Sequence, residues 1–129
     1  MLIGGILLLF SIKFYKDRQG NEPVKEYFKD LRKQAQTSKN ERIKLKKITE
    51  YIEILKTYGT RAGKPYIEFI NDDLWELRST DDRIFFFYWK DNTFILLHHF
   101  IKKTNKTPER EKEQARRNMK DFLERGQFE

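Results

Sequence analysis

The sequence predicts an α+β domain, in which a small antiparallel β-sheet is joined by an N-terminal helical hairpin and a C-terminal helix. Two observations lead to this class. Apolar residues recur at helical spacing in the first half of the chain and again near its end. Between them lie three consecutive runs rich in aromatic and β-branched residues, LWELRS, RIFFFYW and TFILLHHF. The predicted order is β-α-α-β-β-β-α, and 129 residues suit one domain.

The first ten residues, MLIGGILLLF, form an apolar run. The run is too short for a membrane span, which needs about 18 residues. It also lacks the basic residues and the small-residue cleavage site of a secretory signal. We expect a strand over Leu7–Tyr15 after a short apolar extension. A start codon placed too far upstream would produce this extension, so residues 1–10 are assigned to it and residues 11–129 to the single domain.

Two helices are expected after the first strand. Asn21 can cap the first helix, with Pro23 in its first turn. Ser38 and Glu41 form a capping box for the second helix, and Gly59 suits its C-terminal cap. The apolar stripes are Val24, Tyr27, Phe28 and Leu31 in the first helix, and Leu45, Ile48, Ile52 and Leu55 in the second.

The second half of the chain is predicted to be a β-meander followed by a helix. Residues 60–73 are loop-like and hold at most a short edge strand, while STDDR and KDNT are hairpin turns. Thr107 and Pro108 begin the last helix, and Gly126 ends it. Its inward stripe is Ala115, Met119, Phe122 and Leu123.

The net charge of +7 predicts a polyanionic partner, either nucleic acid or an acidic protein. The second helix is basic from Lys39 to Lys47, and this run is either a solvated face or a phosphate-binding surface to which Lys44 and Lys47 contribute. The chain has no cysteine, so neither a disulfide nor a Cys-based zinc site is possible. A reducing, cytoplasmic location is compatible with that composition.

Two arginines are predicted to lie side by side on the sheet. If Thr80 and Asp81 make a tight turn, Arg78 lies opposite Arg83, because this register also aligns the apolar residues of one face. Two arginines in this position repel each other. Either Asp81 and Asp82 or a bound phosphate would relieve the repulsion.

A histidine is predicted to join the arginines. A two-residue turn after Lys90 places His98 opposite Phe85, on the face of Arg83, whereas a three-residue turn places His99 there. The other histidine then points to the opposite face as a half-buried residue. Adjacent strand residues point apart, so the pair is a poor metal chelate. We expect Phe85 to contact the substrate.

A histidine, two arginines and two lysines supply the groups that metal-free RNA cleavage requires. A base removes the proton of the ribose 2′-OH, which attacks the adjacent phosphate, and cations stabilise the added charge. Lys102 and Lys103 would hold the flanking backbone. No cofactor is expected. The same cluster also suits a non-catalytic phosphate-binding site.

Three segments, SIKFYKDRQGNEPVKEYF, LWELRSTDDRIFFFYW and LLHHFIKKTNKTPEREKEQARR, resemble the RelE/HigB superfamily of toxin–antitoxin ribonucleases, especially its phage-derived, HigB-like host-inhibition branch. The resemblance runs from about Ser11 to Arg125. It implies a toxin that cleaves mRNA in the A site of the translating ribosome, contacting ribosomal RNA. It also implies a helix-turn-helix antitoxin as partner, with the toxin a monomer or part of a toxin–antitoxin hetero-oligomer, and no membrane.

The resemblance also implies roles for single residues. Arg83 corresponds to the arginine that stabilises the scissile phosphate, and His98 to a histidine that this branch often carries. Arg78 occupies a nearby basic position, and the two lysines after the last strand match a basic pair. Glu76 stands where some relatives have a lysine, and TNKTPERE offers no tyrosine, so the base stays open among His98, His99 and a lysine.

Two other functions fit the same residues. The first is a non-catalytic regulator that binds RNA or the ribosome. The second is a phage-derived inhibitor that binds a host protein directly.

Overall fold

The computed structural model describes residues 9–125 and confirms the α+β class and the predicted order of elements. It adds one short strand within the segment 60–73, where the sequence allowed an edge strand. The elements are β1 (Ser11–Phe14), α1 (Pro23–Ala35), α2 (Lys39–Tyr58), a 3₁₀ turn (Gly59–Ala62), β2 (Ile67–Asn71), β3 (Leu74–Ser79), β4 (Asp82–Lys90), β5 (Thr93–Ile101) and α3 (Glu109–Arg125).

The five strands form one sheet in the order β1-β5-β4-β3-β2. The meander from β2 to β5 is antiparallel, as predicted, but β1 pairs parallel with β5, so the sheet is mixed and not wholly antiparallel. A parallel pair needs a long crossover. Here the helical hairpin carries the chain from β1, at one edge of the sheet, to β2 at the other edge, and the meander returns it to β5 beside β1.

Both faces of the sheet are covered. The helical hairpin of α1 and α2 packs on one face around Leu77, Ile84 and Phe86, and α3 packs on the other around Phe85 and Phe87. A strand that is buried on both sides needs apolar residues at consecutive positions. This requirement explains why the four buried residues Ile84, Phe85, Phe86 and Phe87 are all apolar, where a half-exposed strand would alternate.

The N-terminal strand is shorter than the predicted Leu7–Tyr15, since β1 spans Ser11–Phe14 and residues 7 and 8 lie outside the described residues. Just before β1, the backbone N–H groups of Leu9 and Phe10 donate to the carbonyl of Lys56 in the last turn of α2. The Phe10 ring fills the space beside Gly59, where a Cβ would lie 2.6 Å from it. Gly59 also has φ +62°, so both sterics and backbone favour glycine as the α2 cap.

The capping predictions are partly right. Ser38 is confirmed as the N-cap of α2, since its hydroxyl accepts from the Glu41 N–H, but the reciprocal bond of a capping box is replaced: the Glu41 carboxylate accepts from the Ser38 hydroxyl, and the Ser38 N–H donates to the Gln34 carbonyl. Glu22, not Asn21, is the N-cap of α1, and it makes no side-chain cap. The Thr107 hydroxyl donates to Glu76, and α3 begins at Glu109.

Along α3, the predicted stripe is confirmed at Ala115 and Phe122, which are buried, and Met119 packs against the same core. Leu123 is 43% exposed, so it lies outside the stripe. The predicted end at Gly126 lies outside the described residues. Within residues 9–125, no helix is long and apolar enough to span a bilayer.

Candidate functional site

The β3–β4 hairpin has the predicted register, with Arg78 opposite Arg83 and Leu77 opposite Ile84. The turn between the strands has two residues, and its first, Thr80, has φ +56°. Because directly opposed residues share a face of the sheet, the two arginines lie on one face. This is the face that α3 covers further along the strands.

A groove of about 770 Å³ opens on this face, between the β2–β3 edge of the sheet and the segment that leads into α3. Arg78 and Glu76 line it from β3, and Lys102 lines it from the position directly after β5. The other lining residues are Glu68, Phe69, Ile70, Asn105, Lys106, Thr107, Pro108, Glu109 and Lys112. The groove is therefore lined by residues of both charges.

Glu76 is the buried carboxylate of this groove, with 2% of its surface exposed. Its carboxylate lies 3.6 Å from the Arg78 Nε and accepts a 3.4 Å hydrogen bond from the Thr107 hydroxyl. Burial raises the pKa of Glu76 above its ordinary value, although the nearby cations Arg83, Arg78 and Lys102 oppose this shift. A carboxyl with a raised pKa beside three cations can exchange a proton near a bound phosphate.

The two arginines have hydrogen-bond partners other than the Asp81 and Asp82 carboxylates that were expected. Arg78 Nη1 donates to the Glu68 carboxylate at 2.9 Å, and its Nε faces Glu76. Arg83 Nη1 donates to the backbone carbonyls of Thr80 and Asp82 at 2.8 and 2.9 Å. Burial lowers the pKa of Arg83, but a guanidinium stays protonated in proteins. The site therefore holds two charged arginines whose head groups are fixed in place.

The predicted register of the second hairpin is confirmed, since Lys90 pairs with Thr93 and Phe85 with His98. Asp91 and Asn92 form the two-residue turn with φ near +55°. The pairing of β4 with β5 shifts by one residue between Lys90 and Tyr88. It shifts back by one residue between Phe86 and Phe85, so the two shifts cancel. Without the second shift, Leu97 would have taken the place of His98.

His98 lies on the same face as Glu76 but apart from the groove. Phe85 stands between them on β4, so the two backbones are about 10 Å apart, or two strand spacings. The His98 Nε2 lies 2.7 Å from the Glu111 carboxylate in the first turn of α3. His98 is not one of the residues that line the groove. The structure thus brings Arg78, Lys102 and Glu76 together in the groove lining, places Arg83 near Glu76 but outside that lining, and pairs His98 with α3.

Residues 26–120 match a protein-family profile described as "Phage derived protein Gp49-like (DUF891)". The chain belongs to this family. The matched segment contains every residue of the groove, so the Gp49-like region and the candidate site coincide. A comparison with curated proteins found no match.

Two residues predicted to bind the substrate, Phe85 and Lys44, have other surroundings in the Gp49-like chain. Phe85, which was expected to contact the substrate, is fully buried between the sheet and α3 as part of the core. Lys44 was expected on a phosphate-binding surface. Its side chain is only 20% exposed, and its Nζ lies 3.4 Å from Asp81 and 3.6 Å from Asp82. Burial and ion pairing therefore make Lys44 a structural residue.

The remaining lysines of the predicted site are accessible. Lys47 and Lys103 are exposed, and the Lys47 ammonium lies 5.8 Å from the centre of the Tyr51 ring. Lys102 is half-buried in the groove wall. Sequence reasoning noted Glu76 only as a departure from the lysine of some relatives. Strand alternation places it on the same face as Arg78, but no local signal in the sequence shows that it is buried there.

Proposed function

We propose that this protein is the toxin of a toxin–antitoxin pair and cleaves mRNA as an endoribonuclease in the translating ribosome. The observation that carries the proposal is the position of Glu76, a buried carboxylate that lines an open groove with Arg78 and Lys102 and lies near Arg83. Family membership and the resemblance to RelE/HigB toxins support the same assignment.

Glu76 is the general base of the proposed reaction. Its carboxylate takes the proton of the ribose 2′-OH, and the resulting oxygen attacks the adjacent phosphorus. Arg78 and Arg83 stabilise the charge that gathers on the phosphate oxygens. The bond to the 5′-oxygen then breaks, leaving a 2′,3′-cyclic phosphate on one fragment and a 5′-hydroxyl on the other. DNA lacks the 2′-OH, so it is not cleaved by this route.

The departing 5′-oxygen needs a proton, and we assign its donation to Lys102. The ammonium belongs to a groove-lining residue, whereas His98 lies about two strand spacings from Glu76. We assign His98 a supporting role through its contact with Glu111, which ties β5 to the first turn of α3. Its predicted catalytic role is thereby replaced by Glu76 and Lys102 in the proposal.

The ribosome and the antitoxin complete the proposed function. The +7 charge suits a ribosomal RNA surface, and the exposed Lys47 and Lys103 are candidates for contacts with its phosphates. A helix-turn-helix antitoxin with an acidic segment would neutralise the toxin by occupying the same basic surface.

The test is primer extension on a reporter mRNA after a short pulse of expression. We compare the wild type with Glu76→Gln and with the control Glu50→Gln, which makes the same change at an exposed position on α2. Wild type and control should produce discrete cuts within the translated region, and an untranslated RNA should stay intact. Glu76→Gln should reduce cutting by about 100-fold or more. Intact mRNA in all three strains would refute the endonuclease.

The ion pairs of Arg78 favour one alternative function. The Arg78 guanidinium is already paired with the carboxylates of Glu68 and Glu76. In a site that binds RNA without cutting it, an RNA phosphate would replace these carboxylates as the partner of Arg78. A non-catalytic, ribosome-binding regulator would arrest growth while the reporter mRNA stayed full length. Glu76→Gln would then leave the growth arrest unchanged, which separates this function from the proposed one.

A further inference from the structure

A second polar cluster lies on the opposite face of the sheet, behind the turn that carries Arg83. Its centre is Asp82, which is fully buried. Three elements send donors to one oxygen of this carboxylate. The Tyr27 hydroxyl on α1 donates at 2.5 Å, the His99 Nε2 on β5 lies at 2.8 Å, and the Lys44 Nζ on α2 lies at 3.6 Å.

The donors keep Asp82 ionised in its buried position. Burial by itself would raise its pKa, but the hydrogen bonds from His99 and Tyr27 lower the pKa below its ordinary value. Burial and the neighbouring Asp82 raise the pKa of Tyr27, so its hydroxyl remains a donor. The Tyr27 ring also stacks on the His99 ring at 3.5 Å between centroids, which fixes the direction of both donors.

The same turn holds Arg83 and the groove-lining Lys102 through its backbone. Arg83 Nη1 donates to the carbonyls of Thr80 and Asp82. The backbone N–H of Lys102 donates to the carbonyl of Asp81 at 2.8 Å. Any change in the position of the turn therefore moves Arg83 and Lys102 together, relative to Glu76.

A buried ionic cluster adds little to stability compared with apolar residues of similar size, because each charge must be desolvated. What such a cluster supplies is one defined geometry. Here, the Asp82 carboxylate joins the two-residue β3–β4 turn to α1, α2 and β5. The cluster is also separated from the groove by the sheet itself, so its members do not touch a substrate bound there.

We propose that Asp82 is a positioning residue, which with Tyr27, His99 and Lys44 holds the β3–β4 turn so that Arg83 and Lys102 face Glu76. The inference rests on the proposed function for its catalytic consequence. Its structural content, the order of the turn, is measured independently of cleavage.

The test compares two tyrosine variants that lose the same kind of bond. Tyr27→Phe removes the 2.5 Å bond to Asp82, and Tyr15→Phe removes a 2.6 Å bond to Asp121 at the far end of α3. Both rings stay in place, so both variants are expected to fold. Thermal melts measure the stability that each variant loses, and the two losses are expected to be comparable.

The first readout is amide hydrogen exchange, which needs no activity. In Tyr27→Phe, the Lys102 amide and the turn at residues 79–83 should exchange at least about tenfold faster than in the wild type. In Tyr15→Phe, they should exchange at the wild-type rate. Equal exchange in both variants would overturn the proposal, whether or not the protein cleaves RNA.

The second readout is single-turnover cleavage on ribosomes carrying the reporter mRNA. Tyr27→Phe should lower the rate constant by about tenfold or more, with half-saturation changed less than about twofold. Tyr15→Phe should do neither. His99→Gln, whose amide can still donate to Asp82, should retain more of the rate than His99→Leu. No cleavage by the wild type would refute the proposed function alone, while equal rates in both tyrosine variants would refute the positioning role.

Discussion

Glu76→Gln is expected to stabilise the protein at neutral pH. Glu76 is 2% exposed, and its burial outweighs three nearby cations in setting its pKa. The folded protein therefore binds this proton more tightly than the unfolded chain does. The stability contributed by protonated Glu76 is fully present below the unfolded pKa and is lost as the pH rises through the higher, folded pKa. Glutamine resembles the protonated acid at every pH, so it avoids this loss.

The size of the effect follows from the shift. Each unit by which the pKa is raised corresponds to about 1.4 kcal/mol of stability lost at neutral pH. For a domain of this size, about 1.4 kcal/mol changes Tm by roughly 3–6 °C. We therefore expect Glu76→Gln to have a higher Tm than the wild type at pH 7. The difference should shrink towards zero as the pH approaches 4.

Thermal unfolding followed by circular dichroism between pH 4 and pH 8 measures this difference. Glu50→Gln, at an exposed position on α2, is the matched control and should follow the wild-type curve. A lower Tm for Glu76→Gln at pH 7 would refute the reasoning. It would mean that the ion pair between Glu76 and Arg78 outweighs the cost of burying the carboxylate. If Glu76→Gln is more stable than the wild type but inactive, the Glu76 carboxylate is required for function although it lowers stability.

Two further predictions test, by urea denaturation, the structural roles of Phe85 and Lys44. Phe85→Ala should destabilise the protein by about 3–5 kcal/mol, whereas Phe69→Ala, at a ring that is 50% exposed and packs on Trp75, should cost about 1 kcal/mol. A Phe85→Ala protein of wild-type stability but without activity would restore its role in substrate binding. Lys44→Met should cost about 2–3 kcal/mol by leaving the buried Asp82 without its cation, and Lys47→Met about 0.5 kcal/mol. Equal costs would place Lys44 on a solvated surface.

Local patterns were sufficient to predict the fold class and most of the strand pairing. Alternation along β3 and β4, together with a two-residue turn, is enough to place Arg78 opposite Arg83. The parallel pairing of β1 with β5 was missed, because it depends on where the helical hairpin carries the chain. The short strand β2 was predicted only as a possibility, since its apolar pattern spans five residues.

The candidate site was predicted less completely. The basic groups were identified, and Arg78 and Lys102 do line one groove. The groove's carboxylate was not identified, because a glutamate in a strand carries no local sign that a loop and a helix will bury it. His98 was placed on the correct strand face. Its contact with Glu111 was not predicted, because Glu111 lies 13 residues away on another element.

By itself, the sequence determined which residues share a face of the sheet and which are directly opposed. Side-chain alternation has a period of two, and a short turn leaves one register that aligns the apolar residues. Only the tertiary structure decided what covers each face. The packing of α3 buried Phe85 and engaged His98, and the packing of α1 and α2 enclosed Asp82 with Lys44. Burial depends on helices that are distant in the chain, and burial determines whether a charged group binds a ligand, exchanges a proton or holds a turn.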